Sequence, residues 1–273
     1  MVRHVFLFFA LACVITWGLD APGVLALVRG DPMPPFAMAL GGLGAFGPAL
    51  AAVIVAAWFR GPRSQDPELV PRSAGPLRAF LVRAWGLGSP IQWRWALAGL
   101  VTVGALHQVA NLLELALGGH PARWFYPPTL PPHVLALVFF SVGEELGWRG
   151  FAYPRLARRW GPVQASLLIG VVWGVWHLGM SFDLQTGALL ADKLGIAVVE
   201  LALYSVIIAW FLERSGGGVW LAIAIHAGAH LDNVNRAPDE EVRLRILRVV
   251  VVAVAAGLAA WGLRRRGEVR RAT

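Results

Sequence analysis

The chain has 273 residues, of which 57% are hydrophobic and 15% are charged, and its formal net charge at pH 7 is +8. A soluble domain has about a quarter of its residues charged, so this composition excludes a water-soluble globular protein and predicts a membrane protein. The single cysteine, Cys13, excludes an internal disulfide. The arginines cluster between apolar stretches, which is typical of membrane loops and does not indicate a nucleic-acid partner.

Apolar stretches near the length needed to cross a bilayer predict an all-α polytopic membrane protein with about eight transmembrane helices around a buried polar site. The first stretch, from about Val5 to Leu19, can extend toward Val28. We interpret it as a retained helix and not as a cleaved signal, because the residues after Cys13 stay apolar. The other predicted spans are Phe36 to Phe59, Trp93 to Leu117, Val134 to Tyr153, Val163 to Met180, Ala188 to Leu212, Val219 to His230 and Ile246 to Leu263.

The arginines orient the predicted spans. Most of them follow the second span, follow the fourth span or lie in the C-terminal tail. Positive residues in short loops stay on the cytoplasmic side, so both termini are predicted to be cytoplasmic. Arg243, Arg245 and Arg248 disagree with this pattern, because they would begin the last span from the outer side.

The predicted spans and loops divide the chain into three regions. Residues 1–130 hold the N-terminal helices and a basic cytoplasmic loop at about 60–92. Residues 131–233 form the core, and residues 234–273 hold the last helix and a basic tail. Within the basic loop we predict a weakly amphipathic interfacial helix, whose apolar residues are Leu77, Phe80, Leu81 and Trp85.

A few ionisable or polar residues interrupt the apolar spans. Each charged one costs roughly 2.5 kcal/mol or more at a helix centre, so those that remain usually face a protein interior or a water cavity. The residues are His107, Asn111, Glu114, Glu144, Glu145, Arg149, His177, Glu200, His226 and His230. The first three share one face of the third span and are expected to line the same interior as the others.

Spacing within the helices suggests how these groups combine. Glu145 and Arg149 are four apart and can neutralise each other, whereas Glu144 projects about a hundred degrees away. The helix rise lets Glu144, His177 and His226 meet at one depth. A carboxylate and a histidine at one point can activate a water molecule, and further donors can stabilise an oxyanion.

The same residues also suit other roles. Glu144, His177 and His226 are residue types that bind zinc, and His226 and His230 present one helix face. A structural ion pair with packing histidines is the alternative without chemistry. The residues alone therefore leave the metal question open.

Three segments resemble the ordered motifs of the CPBP family of intramembrane proteases, which includes CAAX proteases and bacteriocin-processing enzymes. Residues 144–149, with the sequence EELGWR, resemble its EExxxR motif. Residues 173–177 resemble its second motif, an aromatic residue four before a histidine, and residues 226–230 resemble its third. Together the motifs cover roughly Pro131 to Asn233, and the order of the three is that of the family.

The resemblance implies an all-helical membrane peptidase in a prokaryotic inner or plasma membrane. Glu144 would activate water with His177, and His226 and His230 would stabilise the oxyanion, while Glu145 and Arg149 support the site. The implied partners are the lipid bilayer and a membrane-associated peptide or protein substrate, including a prenylated CAAX-type peptide. The family has been described as zinc-dependent and as metal-independent, so both mechanisms stay open.

Two positions depart from the family pattern. His230 stands where the family usually has Asn or Asp, with Asp232 and Asn233 as alternative donors, and Gly179 stands where relatives often have Pro. The first departure also supports an alternative function, a non-catalytic immunity or scaffolding protein of the same family. A proton or metal transporter that uses the same side chains is a third hypothesis.

Overall fold

The computed structural model describes residues 2–58, 75–86, 93–121, 124, 131–216, 218–231 and 242–272. The fold is all-α, as predicted, and a π-helical segment (Leu146–Ala152) and a 3₁₀ turn (His177–Ser181) interrupt the helices. The described α-helices are α1 (Val2–Arg29), α2 (Ala37–Gly44), α3 (Gly47–Trp58), α4 (Pro76–Trp85), α5 (Trp93–Ala116), α6 (Pro131–Glu145), α7 (Tyr153–Trp160), α8 (Pro162–Trp176), α9 (Ala191–Ser215), α10 (Val219–Leu231) and α11 (Val242–Ala272).

The protein is an integral membrane protein, but the predicted count of eight spans is not confirmed. Among the described residues, five helices are long and apolar enough to cross a bilayer, and the pair α2 and α3, bent by 52°, makes up to six. The predicted seventh span, α10, has 13 residues and is therefore about 20 Å long, shorter than the ~30 Å hydrocarbon core. The predicted fourth span changes from α-helical to π-helical geometry after Glu145, where α6 ends.

Helix α1 is part of the protein core. The Phe8 ring packs edge-on against Trp148, at 5.4 Å between ring centroids, and in a tilted arrangement against Phe151, at 5.1 Å. The predicted interfacial helix is present as α4, and its Phe80 is 2% exposed and packs on the same Phe151 ring. The apolar face of α4 therefore contacts protein, and the π-helical segment lies between α1 and α4.

Two glycines bring α8 and α9 into close contact. A Cβ atom on Gly170 would clash with the backbone of Ala202, and one on Gly174 would clash with the backbone of Val198. Small residues four apart allow membrane helices to approach closely in this way. The contact fixes the position of α8, which carries Trp173 and is followed directly by His177.

The polar face of α5 contacts α11. Glu114 is 1% exposed, and both of its carboxylate oxygens accept hydrogen bonds from Arg243. Arg248 donates to the Asn111 side chain at 3.4 Å. His107 contacts the hydroxyl of Tyr204 on α9 at 3.1 Å. The contacts of Arg243 and Arg248 with α5 explain why these residues depart from the loop charge pattern, and the face that we expected to line the site packs on α11.

Candidate active site

The indole of Trp173 lies at the centre of the predicted site residues. It donates a hydrogen bond to Glu144, and its ring centroid lies 5.9 Å from that of His177 and 5.1 Å from that of His226. The Arg149 guanidinium lies over the same ring, with its carbon 4.4 Å from the centroid. Residues from α6, the π-helical segment, the end of α8 and α10 therefore surround one side chain.

Glu144 has its hydrogen-bond partner on another helix, as its position on α6 suggests. The Trp173 Nε1–H group donates to Oε2 at 2.6 Å. The other oxygen, Oε1, accepts no hydrogen bond from any residue that the structure describes. The side chain is 4% exposed. One carboxylate oxygen is thus held by the protein while the other stays available.

The predicted pair of Glu145 and Arg149 is present and buried. Arg149 Nη1 donates to Glu145 Oε1 at 2.8 Å, and Nη2 donates to the Ser205 hydroxyl on α9 at 2.8 Å. Arg149 lies in the π-helical segment, a form that occurs frequently at functional sites. Bonds to two helices and the cation–π contact hold the guanidinium in place.

The hydrogen bonds of His177 define its proton position. Its Nδ1 lies 2.8 Å from the backbone oxygen of Trp173. A carbonyl oxygen only accepts hydrogen bonds, so Nδ1 carries the proton and Nε2 of the neutral ring has a free lone pair. The Trp176 ring packs edge-on against the imidazole at 4.9 Å. His177 therefore presents a fixed basic nitrogen.

His226 and His230 form a chain of contacts that begins at Glu145. His226 Nδ1 donates to Glu145 Oε1 at 2.9 Å. The Nε2 atoms of His226 and His230 lie 3.0 Å apart, and the two rings are stacked. In the neutral rings, His230 donates and His226 accepts. The alternative donors Asp232 and Asn233 lie outside the described residues.

The proposed zinc ligands do not form a metal-binding group as they are placed. In the part of the chain that the structure describes, no three His, Cys, Asp or Glu side chains lie in a geometry that could hold a metal. Glu144 Oε1 and His177 Nε2 are available, but His226 uses both ring nitrogens in contacts with Glu145 and His230, so it offers no atom for a metal as placed. We therefore derive no step through a metal.

Sequence reasoning missed two residues. Ser205 is 2% exposed on α9 and accepts from Arg149, but one serine in an apolar helix carries no distinguishing signal. Asp20 lies in α1 beside Gly179. The sequence could have identified it, because it is the single acidic residue of a long apolar helix. Glu200, also predicted as an interior group, lies half-buried on α9.

Comparisons with known proteins cover the part of the chain that holds this site. Residues 126–231 match the family model described as type II CAAX prenyl endopeptidase Rce1-like. The chain is also 25% identical over 156 residues to a protein named CAAX prenyl protease 2 from Methanococcus maripaludis. That match covers 53% of this chain and 58% of the relative, so the chain spans less than two thirds of the relative's length. The resemblance to CPBP proteases is confirmed, and the similarity to the Rce1-like family covers the segment 126–231 of this chain.

Proposed function

We propose that this protein is an intramembrane endopeptidase that hydrolyses a peptide bond of a membrane-associated peptide by means of an activated water molecule. The observation that carries the proposal is the arrangement around Trp173. It groups a carboxylate with one available oxygen, a histidine with one available nitrogen and a second histidine backed by a carboxylate. These are the parts that general-base hydrolysis needs.

Glu144 and His177 are the proposed water-activating pair. Water donates one proton toward Glu144 Oε1 and is oriented by His177 Nε2, while Trp173 holds the other carboxylate oxygen in place. The water oxygen then bonds to the carbonyl carbon. Glu144 takes the proton and delivers it to the amine as the carbon–nitrogen bond breaks, which returns the site to its starting state.

His226 and His230 are the proposed oxyanion donors. Glu145 accepts from His226 Nδ1, so a protonated His226 is stabilised and gains a second N–H group at Nε2. In the neutral ring this Nε2 atom accepts from His230, and the N–H group formed there on protonation would donate to the oxyanion. Arg149 holds Glu145, so Glu145 and Arg149 act as positioning residues.

The substrate class follows from the membrane location and the family. We propose a peptide attached to or inserted in the bilayer, with a prenylated CAAX-type peptide as the first candidate, because the matching family and the relative carry that name. We also propose that both termini are cytoplasmic, which reporter fusions at each end would test.

The test is cleavage of a lipid-anchored peptide by the purified protein in vesicles or detergent. Glu144→Gln keeps the acceptor for Trp173 but removes the base, so the rate should fall by at least about a hundredfold. Glu200→Gln makes the same substitution on α9 and serves as the matched control with unchanged activity. Full activity of a folded Glu144→Gln protein would refute the proposal.

A second candidate function is non-catalytic binding of a protein partner. It is favoured by the His226 to His230 contact, in which the two proposed donors face each other. Replacement of both Glu144 and His177 distinguishes the two functions, because a binding protein would keep its cellular role and a peptidase would lose it.

A further inference from the structure

A carboxylate in α1 lies against the turn that carries His177. A Cβ atom built on Gly179 would lie 2.7 Å from Asp20 Oδ2, and one built on Gly44 would lie 3.0 Å from Oδ1. A third glycine, Gly41, is adjacent to Oδ1 as well, at 3.6 Å by the same measure. Three glycines therefore lie beside this carboxylate, and none of them offers a side-chain donor.

Asp20 makes no hydrogen bond or ion pair with any residue that the structure describes. It is half-buried and lies roughly 14 Å along the helix axis from Arg29, inside the candidate span Arg3–Arg29. An acidic side chain at such a position is costly unless a partner neutralises it, and such residues mark functional sites by default. The carboxylate needs a partner that this part of the chain does not supply.

Helix α1 is joined to the end of α8 next to the site. The Trp176 Nε1–H group donates to the Thr16 hydroxyl at 2.8 Å, and the Trp17 Nε1–H group donates to the Trp176 backbone oxygen at 3.1 Å. Trp176 directly precedes His177, and Gly179 follows it within one 3₁₀ turn. The Asp20 carboxylate is therefore fixed beside the backbone that positions the proposed water-activating histidine.

We propose that Asp20 binds a basic side chain of the substrate peptide and so selects which peptides the site accepts, an inference that rests on the proposed peptidase function. A half-buried carboxylate within a membrane span is stabilised by an opposite charge that also donates hydrogen bonds. Gly41, Gly44 and Gly179 add no side chain of their own beside the carboxylate, and the compact ammonium of lysine suits a contact at which the neighbouring backbone lies so near. Asp20 lies outside the segment 126–231, so this selectivity would belong to this chain and not to the matched core.

Peptide binding to the full-length Glu144→Gln protein tests this proposal without requiring cleavage. The probes are pairs of fluorescent, lipid-anchored peptides that differ at one position, where one peptide has lysine and the other has its neutral analogue norleucine. Successive pairs place this position at different distances on both sides of the candidate cleavage site. At one position the lysine peptide should bind about tenfold more tightly than the norleucine peptide, as expected for a desolvated charge pair.

The isosteric variant Asp20→Asn, added to the same protein, should reduce that preference to about twofold or less and leave norleucine binding unchanged. Asp183→Asn is the matched control, because Asp183 is a partly exposed acid just after the same turn, and its Oδ1 acceptor for Thr186 is retained in asparagine. The control should keep the full preference for lysine.

Several results would overturn the role of Asp20. They are the absence of a lysine preference at every position, a preference that survives in Asp20→Asn, an equal loss of binding for both peptides, and no binding of either peptide. Failure of the wild-type protein to cleave would refute the peptidase function instead, and binding by the inactive variant would still report on Asp20.

Discussion

The hydrogen bond from Trp173 to Glu144 is the contact on which the proposed chemistry depends most, and Trp173→Phe removes it. The phenyl ring keeps an aromatic surface against Arg149, His177 and His226, but the Nε1–H group that lies 2.6 Å from Glu144 Oε2 is lost. Glu144 then has neither of its oxygens held by the described residues, so its orientation toward water is no longer fixed.

The size of the effect follows from the charge on the acceptor. A hydrogen bond to a charged group contributes about 1.5–3 kcal/mol, and each ~1.4 kcal/mol of lost transition-state stabilisation lowers the rate tenfold. Trp173→Phe should therefore lower kcat roughly ten- to hundredfold in the peptide-cleavage assay. Loss of ring volume at a side chain that is 3% exposed should also lower the melting temperature.

Trp148→Phe separates these two effects. Trp148 is also fully buried, and its Nε1 has no hydrogen-bond partner among the described residues, so the substitution removes packing without removing a hydrogen bond. It should lower the melting temperature by a similar amount and change kcat by less than about threefold. Equal values of kcat for the two variants would refute the reasoning.

Three further predictions follow from the site. Arg149→Lys should lower stability by about 1.5–3 kcal/mol, because one ammonium cannot replace the two nitrogens that bond to Glu145 and Ser205, and an unchanged chemical-denaturation midpoint would count against this role. Gly179→Ala should lower the melting temperature, and adding Asp20→Ala should restore most of it, since the new Cβ would lie 2.7 Å from Asp20 Oδ2; purely additive effects would contradict the contact. Protein treated with a chelator should keep its cleavage rate, because His226 already uses both ring nitrogens in contacts with Glu145 and His230; activity that is lost and then restored by zinc would show that a metal is required.

The buried pair and the convergence of three helices could be predicted because they depend on spacing and depth. Glu145 and Arg149 are four apart, and their 2.8 Å contact persists although Arg149 lies in a π-helical segment. Helix rise placed Glu144, His177 and His226 at one depth, and the Trp173 indole contacts all three. Local geometry was enough for these features.

The remaining features depend on tertiary packing. Hydropathy does not show that the fourth predicted span changes to a π-helix after Glu145. The seventh predicted span, Val219 to His230, was already shorter than a bilayer crossing, so the count of eight could not be reliable. The polar face of α5 is defined by its sequence, but its contact with Arg243 of α11 arises only in the folded chain. The role of Ser205 also depends on tertiary packing, because Arg149, which donates to its hydroxyl, lies far away in sequence.

The central claim, hydrolysis by water that Glu144 activates, is tested most directly by mass spectrometry of the cleavage products formed in heavy-oxygen water. The wild-type protein should release a product whose new carboxylate contains one heavy-oxygen atom, and Glu144→Gln should release none. Unlabelled product from the wild-type protein, or labelled product formed at the wild-type rate by Glu144→Gln, would contradict the account.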